Sequence, residues 1–497
     1  MPISTPEWVR HAIFYQIFPD RFAKSERVHK PANLEPWETK PTTYGYKGGD
    51  LLGVVDKLDY LQDLGINAIY FTPVFQSTAN HRYHTQDYYR IDPILGGTEA
   101  FQELLKAAHR RKMHVIIDGV FNHASRGFYQ FNHALENGAD SPYLDWFHIH
   151  GFPVNAYHGK ANYDAWWGIP ALPKFNTNTR AVREYLFKVG EYWMEMGADG
   201  WRLDVPAEIA DDSFWQEFRY RVKRVNPEAY IVGEIWHEAQ RWLQGDQFDA
   251  VMNYLFTKAC LGFFSAGKRD EMLASGVGYA PVNDLDASRF AYSLNITLSL
   301  YDRAINEVQM NLLSSHDTAR FLSIAKHDVS ALKLATLCQM TYPGAPSVYY
   351  GDEIGMEGGK DPDCRRTFNW DESTWNHDLR AYFKKCIALR KKYAALRNGD
   401  IRVLHAEGKN VVYLREIKSG PGQDQKGNEK LIIALNSGPQ AAQINIATNE
   451  VLPDGVTLKT VFGAKPQGSA SGAYQTANGQ LTNLEIPKRE GVVLKVM

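Results

Sequence analysis

Eight short apolar runs, spaced over the first 355 or so residues, constrain this chain more than any other feature. They are AIFYQIF (12–18), NAIYFTP (67–73), HVIIDGV (114–120), GWRLDV (200–205), AYIVGEI (229–235), DAVMNYL (249–255), VQMNLLSS (308–315) and PSVYYG (346–351). Rich in β-branched and aromatic residues and nearly continuous in apolar ones, they predict strands buried on both faces. Between several of them lie amphipathic helical patterns, such as EAFQELLKAAHRRK (99–112) and REYLFKVGEYWMEMG (183–197), each breaking at a glycine or before a strand. Strand-helix units repeated in this way imply a parallel sheet. Eight of them imply an α/β fold closed into a (β/α)8 TIM barrel.

Two stretches depart from a minimal barrel. After the third strand, residues 122–175 are rich in His, Asn, Tyr and Trp and too long for a plain loop, which predicts a subdomain inserted over the barrel mouth. Beyond the helical segment 377–397 the pattern turns to strand-like pieces, NVVYLREI, KLIIALNSG, AAQINIA and GVVLKV. They predict a C-terminal antiparallel β-sandwich of about 100 residues. The expected division is a barrel over 1–121 and 176–397, the inserted subdomain over 122–175 and the C-terminal domain over 398–497. The polar stretch GPGQDQKGNE (420–429) reads as a hairpin loop.

Composition removes several classes of function. A net charge of −2 over 497 residues supplies no basic field for nucleic acid or an acidic membrane surface. No run reaches the roughly 18 apolar residues of a membrane helix, and the N-terminal stretch has no secretory pattern, so a cytoplasmic location is expected. The 4 cysteines are widely spaced without a CxxC pair, which fits thiols in a reducing compartment. Aromatic residues make up 13%, a supply that can serve the core or stack on sugar rings.

In a parallel barrel the catalytic groups collect at the C-terminal ends of the strands. The polar residues there are Asp118, Asn122 and His123 after strand three, Arg202 and Asp204 on strand four, Glu234 on strand five, and His316 with Asp317 after strand seven. Any one of them could be an N-cap or a strand-end ion pair. Grouped like charges, which raise one another's pKa, serve packing poorly and point to chemistry. Carboxylates on adjacent strands suit retaining glycoside hydrolysis, in which one attacks the anomeric carbon and the other protonates the leaving oxygen. Arg202, two residues before Asp204 and on the same side of the strand, would keep that nucleophile ionised. Glu234, flanked by Gly233, Ile235 and Trp236, reads as a carboxyl in an apolar setting and the better general acid. His123 and His316 can donate to sugar hydroxyls, and Asp317 can accept from them.

The blocks DGVFNH, GWRLDV, VGEIWH and SSHD, in this order, resemble the four signature segments of the α-amylase superfamily of glycoside hydrolases. The resemblance runs from FYQIFPDRF (14–22) to the C-terminal domain. It implies Asp204 as nucleophile, Glu234 as general acid/base and Asp317 as transition-state stabiliser, with Arg202, His123 and His316 binding the sugar that is cleaved. From HRYHTQDYY it adds His81 and Tyr83, the latter as a stacking platform, and from KDPDCRR it adds Asp361 and Arg365 as an outer hydroxyl-binding pair. LPKFN (172–176) and the Trp236 of VGEIW are similar to the cyclomaltodextrinase, neopullulanase and maltogenic amylase group. That group opens α-1,4 and often α-1,6 links in cyclodextrins, pullulan and malto-oligosaccharides, and Trp236 could either wall the leaving-group side or simply pack at the barrel rim.

Members usually carry an extra N-terminal β-domain that completes a partner's site in a dimer, whereas here the first strand begins almost at once. The layout is similar to the cyanobacterial debranching enzyme of the group, which implies a more open site; a homodimer is expected only by analogy. No cofactor and no metal set is identified. The segment AKSERVHKPAN (23–33) has Lys24 and Lys30 but not the Asn-x-Asp pattern with which relatives bind calcium; Asn122 matches a calcium ligand of many amylases but is equally a loop hydrogen-bonder, and calcium takes about six oxygens. The reading is a retaining α-glucan hydrolase with some transglycosylation. A debranching enzyme or 4-α-glucanotransferase of the same superfamily stays open. A non-catalytic glucan-binding barrel fits poorly with three carboxylates in place.

Overall fold

The computed structural model describes residues 3–417, 429–465 and 473–497. The chain divides into two compact units, one of residues 1–252 with 361–370 and the other of residues 253–360 with 371–497. Eight parallel strands make the sheet of the (β/α)8 barrel, and all eight predicted runs supply one. In the first unit these are β1 (Phe14–Ile17), β2 (Ala68–Phe71), β5 (His114–Gly119), β6 (Gly200–Leu203), β7 (Tyr230–Gly233) and β8 (Ala250–Val251), in the order β8-β7-β6-β5-β2-β1. A two-stranded antiparallel ribbon, β3 (Phe75–Ser77) with β4 (Thr85–Ile91), follows β2 and was not foreseen.

Each of these barrel strands is almost wholly buried, which is why its sequence is apolar on both faces. The helices Gly97–Arg110 and Arg180–Glu195 bury one stripe each: Phe101, Leu104, Leu105 and Ala108 on the first, Val182, Leu186, Val189 and Trp193 on the second. Asp211 caps the helix Asp212–Val225 by accepting from the amides of Ser213 and Phe214. Gly200 opens β6 because nothing larger fits: a Cβ there would sit 2.2 Å from the carbonyl oxygen of Tyr230, its register partner on β7.

Residues 122–175 pack on their own aromatic cluster, in which Phe128, Phe131, Phe147, Tyr163 and Phe175 meet edge to face or stacked. Isolated antiparallel bridges pair His123 with Lys174 and Ala165 with Pro173, so the end of this stretch folds back on its beginning.

In the second unit, β9 (Met310–Leu312) and β10 (Ala345–Tyr349) pair in parallel and complete the eight barrel strands. The C-terminal strands are β11 (Asp400–Glu407), β12 (Asn410–Ile417), β13 (Glu429–Asn436), β14 (Ala442–Ala447), β15 (Thr457–Phe462), β16 (Ala473–Ala477), β17 (Gln480–Ile486) and β18 (Gly491–Val496). They form a separate antiparallel sheet in the order β11-β12-β13-β18-β15-β16-β17-β14. Val412, Leu414, Ile432, Leu458, Leu484, Ile486 and Leu494 share its core. The fully buried Arg415 donates to the carbonyls of Thr341, Leu396 and Gly399, fixing β12 to the chain before it. The expected hairpin loop 420–429 lies outside the described residues except for Glu429, which opens β13. No helix among the described residues is long and apolar enough to cross a membrane. All four cysteines are buried free thiols.

Candidate active site

Buried charged side chains collect at the ends of β5, β6 and β7. Parallel register puts Asp118 of β5 beside Arg202 of β6, and Leu203 beside Gly233 of β7. Asp204 and Glu234 each follow their strand by one residue, and their amides continue the ladder by donating to Gly119 and Leu203 carbonyls at 3.0 and 2.9 Å. The side chains therefore converge on one guanidinium. Arg202 Nη1 lies 3.0 Å from both oxygens of Asp118 and 3.0 Å from Asp204 Oδ1, and Nη2 lies 3.1 Å from Glu234 Oε1. Its Nε faces the sulfur of Met252 at 3.4 Å.

A fully buried guanidinium is tolerable only with such partners. Burial works against its charge, but Asp118 and Glu234 outweigh that and raise the pKa of Arg202 well above the ordinary value. Asp118 is steadied in turn by the hydroxyls of Tyr70 and Tyr83, which donate to Oδ2 at 3.1 and 2.9 Å. Burial pushes its carboxyl up, and Arg202 and the two tyrosines bring it part of the way back, leaving it at about 6. The sequence reading paired Arg202 with Asp204 alone; the structure divides it among three carboxylates. Nor is the setting of Glu234 purely apolar, since it holds that guanidinium and accepts the Val205 amide on Oε2 at 3.0 Å. Val205 adopts φ 36° to present this amide, a left-handed backbone unusual for a β-branched residue.

Three of the predicted sugar-binding residues border this cluster. Tyr83 touches it through Asp118, and Arg202 lies 6.0 Å from the Tyr83 ring centroid. His81 stacks on Tyr83 and accepts its amide on Nδ1 at 3.2 Å. His123 is fully buried, with Nδ1 3.1 Å from the side-chain amide of Asn122. Burial, reinforced by His84, holds its imidazole down at about 3, so it is neutral at physiological pH. Its Nε2 is buried without a hydrogen-bond partner among the described residues, a donor or acceptor left for something else. Trp236, half-buried, follows Glu234 by two residues. Asp361 and Arg365 pair with each other at 3.0 Å, and Arg365 also lies over the ring of Phe18. In the second unit, His316 and Asp317 follow β9 and pair at 3.2 Å, with the Asp317 amide donating to Ser315 Oγ at 3.2 Å.

Sequence reasoning gave Asp118 no role, and it missed Tyr70. The signal for Asp118 was its place on a strand otherwise apolar; the register that sets it against Arg202 is not written in either strand.

The calcium position considered near the first strand fits a cation already built into the chain. Asp50 Oδ2 takes the Lys30 ammonium at 2.7 Å and the Ser25 amide at 2.7 Å, while Oδ1 takes the Gly53 amide at 2.7 Å. Ammonium and amides occupy the oxygens that a divalent ion would need, so these residues do not suit calcium. Among the described residues, no group of three or more His, Cys, Asp or Glu could hold a metal ion.

Residues 16–385 match the family model of the α-amylase catalytic domain. The chain is 48% identical over 444 residues to a cyclomaltodextrinase of a Bacillus species, covering 87% of this chain and 76% of that one. It is 45% identical over 413 residues to neopullulanase 2 of Thermoactinomyces vulgaris, covering 82% and 68%. Among solved structures, a debranching enzyme of Nostoc punctiforme superposes with a TM-score of 0.88 at 47% identity, covering 99% of this chain and 100% of that one.

Proposed function

The chain belongs to the α-amylase family of glycoside hydrolases, and from that premise we propose a retaining α-glucan hydrolase that opens α-1,4 and α-1,6 links in cyclodextrins, pullulan and malto-oligosaccharides. The observation that carries the proposal is the shared guanidinium, which draws Asp204 and Glu234 toward one another at the ends of neighbouring strands. Retaining chemistry needs such closeness, because the nucleophile attacks directly and no water stands between it and the sugar.

In this reading Asp204 attacks the anomeric carbon while Glu234 gives its proton to the departing glycosidic oxygen. The ester to Asp204 is then opened by water, which returns a proton to Glu234. Arg202 keeps Asp204 ionised. Neutral His123 hydrogen-bonds a hydroxyl of the cleaved sugar through Nε2, and Tyr83 offers the ring a stacking face. His81, His316, Asp361 and Arg365 hold further hydroxyls, Asp317 stabilises the distorted ring, and Trp236 borders the leaving group. The same proposal divides the chain into a barrel over 1–121 and 176–397, an inserted subdomain over 122–175 and a C-terminal domain over 398–497. A cytoplasmic location accords with the free thiols. A solution homodimer belongs to the same proposal, and sedimentation as a monomer at micromolar concentration would remove that part.

Asp204→Asn and Glu234→Gln should each lower kcat on maltoheptaose by on the order of a thousandfold or more, since each deletes a step no neighbour performs. Near-full turnover by either variant defeats the assignment. Product profiles on maltoheptaose, pullulan and β-cyclodextrin separate hydrolysis from transfer. Ladders of longer products without new reducing ends would favour a glucanotransferase. Similarity to the Nostoc protein supports a debranching emphasis, which would show as preference for α-1,6 links.

A further inference from the structure

Five residues beyond Asp118, three rings lie in a row. His123 stacks on Trp166 with centroids 5.1 Å apart and planes 13° apart, and Trp166 stacks on Trp167 at 4.4 Å and 13°. Exposure rises along the row, from 0% at His123 through a half-buried Trp166 to 80% at Trp167. The row thus leads from a residue with a buried, unpartnered ring nitrogen out to solvent.

Folding alone does not account for Trp167. Burial is the usual fate of an indole, and its backbone sits at φ 53°, ψ 20°, left-handed geometry that a bulky residue ordinarily avoids. The turn is nonetheless firmly built. Ala165 bridges Pro173, the Trp166 amide donates to Leu172 at 3.0 Å, the Gly168 amide to Ala165 at 2.9 Å and the Ile169 amide to Trp166 at 3.0 Å. Lys174, next in line, bridges His123 itself, so the turn that carries the indoles is registered against the candidate site. Outlying geometry held this tightly and exposing this much apolar surface is characteristic of a functional position.

We propose that Trp167, supported by Trp166, is a stacking platform for a glucosyl residue of the bound α-glucan, at least one unit removed from the sugar being cleaved. A flat apolar surface of one indole matches the C–H face of one pyranose ring and leaves the hydroxyls at the rim in water. It is far smaller than the roughly 800 Å² per side that a protein partner would bury. Trp166 acts as a positioning residue, fixing the plane of Trp167 and transmitting it to His123. The inference rests on the α-glucan reading given above.

Isothermal titration with maltoheptaose and maltotriose, in a Glu234→Gln background that prevents turnover, tests it. Trp167→Ala should weaken maltoheptaose binding by about tenfold, the loss of one ring face from the contact, and weaken maltotriose less. Trp167→Tyr should restore binding to within about threefold, because a flat ring returns. In the active enzyme, the fall in kcat/KM for maltoheptaose should lie in KM. Unchanged maltoheptaose affinity in Trp167→Ala overturns the inference, as does an equal loss in Trp167→Tyr, which would mark a purely structural role. Binding by the parent without cleavage of any α-glucan by the wild type defeats the hydrolase reading alone. No binding by the parent defeats both.

Discussion

The charge state of single residues decides what the site can do, and His123 is the clearest case. Its folded pKa of about 3 lies below the ordinary value of 6.5. The unfolded chain therefore binds more protons between these values, and the stability contributed by neutral His123 is fully present above pH 6.5 and lost as pH falls toward 3. Asp118, raised to about 6, works in the opposite sense: it binds a proton more readily when folded, so its contribution is lost as pH rises from about 4 to 6. Urea unfolding of wild type and His123→Gln at matched pH separates the two. Stability of the wild type should fall more steeply from pH 6.5 to 4 than that of the variant, and parallel curves would remove His123 from the account. Much at this scale was readable in advance, since alternation along GWRLDV puts Arg202 and Asp204 on one side of a strand. The sharing of Arg202 was not, because it depends on which residue of the neighbouring strand stands alongside. Trp166 and Trp167 escaped notice because their stacking depends on a turn at positive φ that composition does not announce.

Among the elements, barrel strands were legible and the others less so, for one reason. A strand buried on both faces must be largely apolar, and β1, β2, β5, β6 and β7 are, apart from Gln16, His114, Asp118 and Arg202. The ribbon of β3 and β4 mixes buried with half-exposed positions and carries Gln86, Asp87 and Arg90, so it reads as a loop. In the C-terminal sheet, β12, β13, β14 and β18 were recognised, β14 despite its exposed residues, whereas β11, β15, β16 and β17 were not. Among the barrel-strand glycines of the first unit the closest obstruction is at Gly200, where the obstructing atom belongs to backbone and cannot swing aside. Gly200→Ala should destabilise the protein by about 1–3 kcal/mol and lower the thermal midpoint accordingly. A midpoint equal to wild type would mean that β6 and β7 separate more freely than their register suggests.

For the whole molecule, the relevant question is what holds it together besides packing. Four buried thiols form no disulfide, and the Lys30 ammonium stands on Asp50 where a divalent ion would need oxygen ligands. The melting temperature should therefore stay within ~1 °C in dithiothreitol and in EDTA alike. A fall of several degrees with the chelator would contradict the place given to Lys30, and one with the reductant would contradict the free thiols. The place of Lys30 was only half visible beforehand: lysines in 23–33 argued against calcium, but only the folded chain brings Lys30 to Asp50.

The guanidinium of Arg202 has one more consequence. Because Asp118, Asp204 and Glu234 all lean on the same positive charge, a proton gained by any of them frees part of that charge for the other two. The three carboxylates thus share one counter-charge at the ends of three neighbouring strands. Replacing any one of them should therefore alter the electrostatic setting of the other two as well as its own.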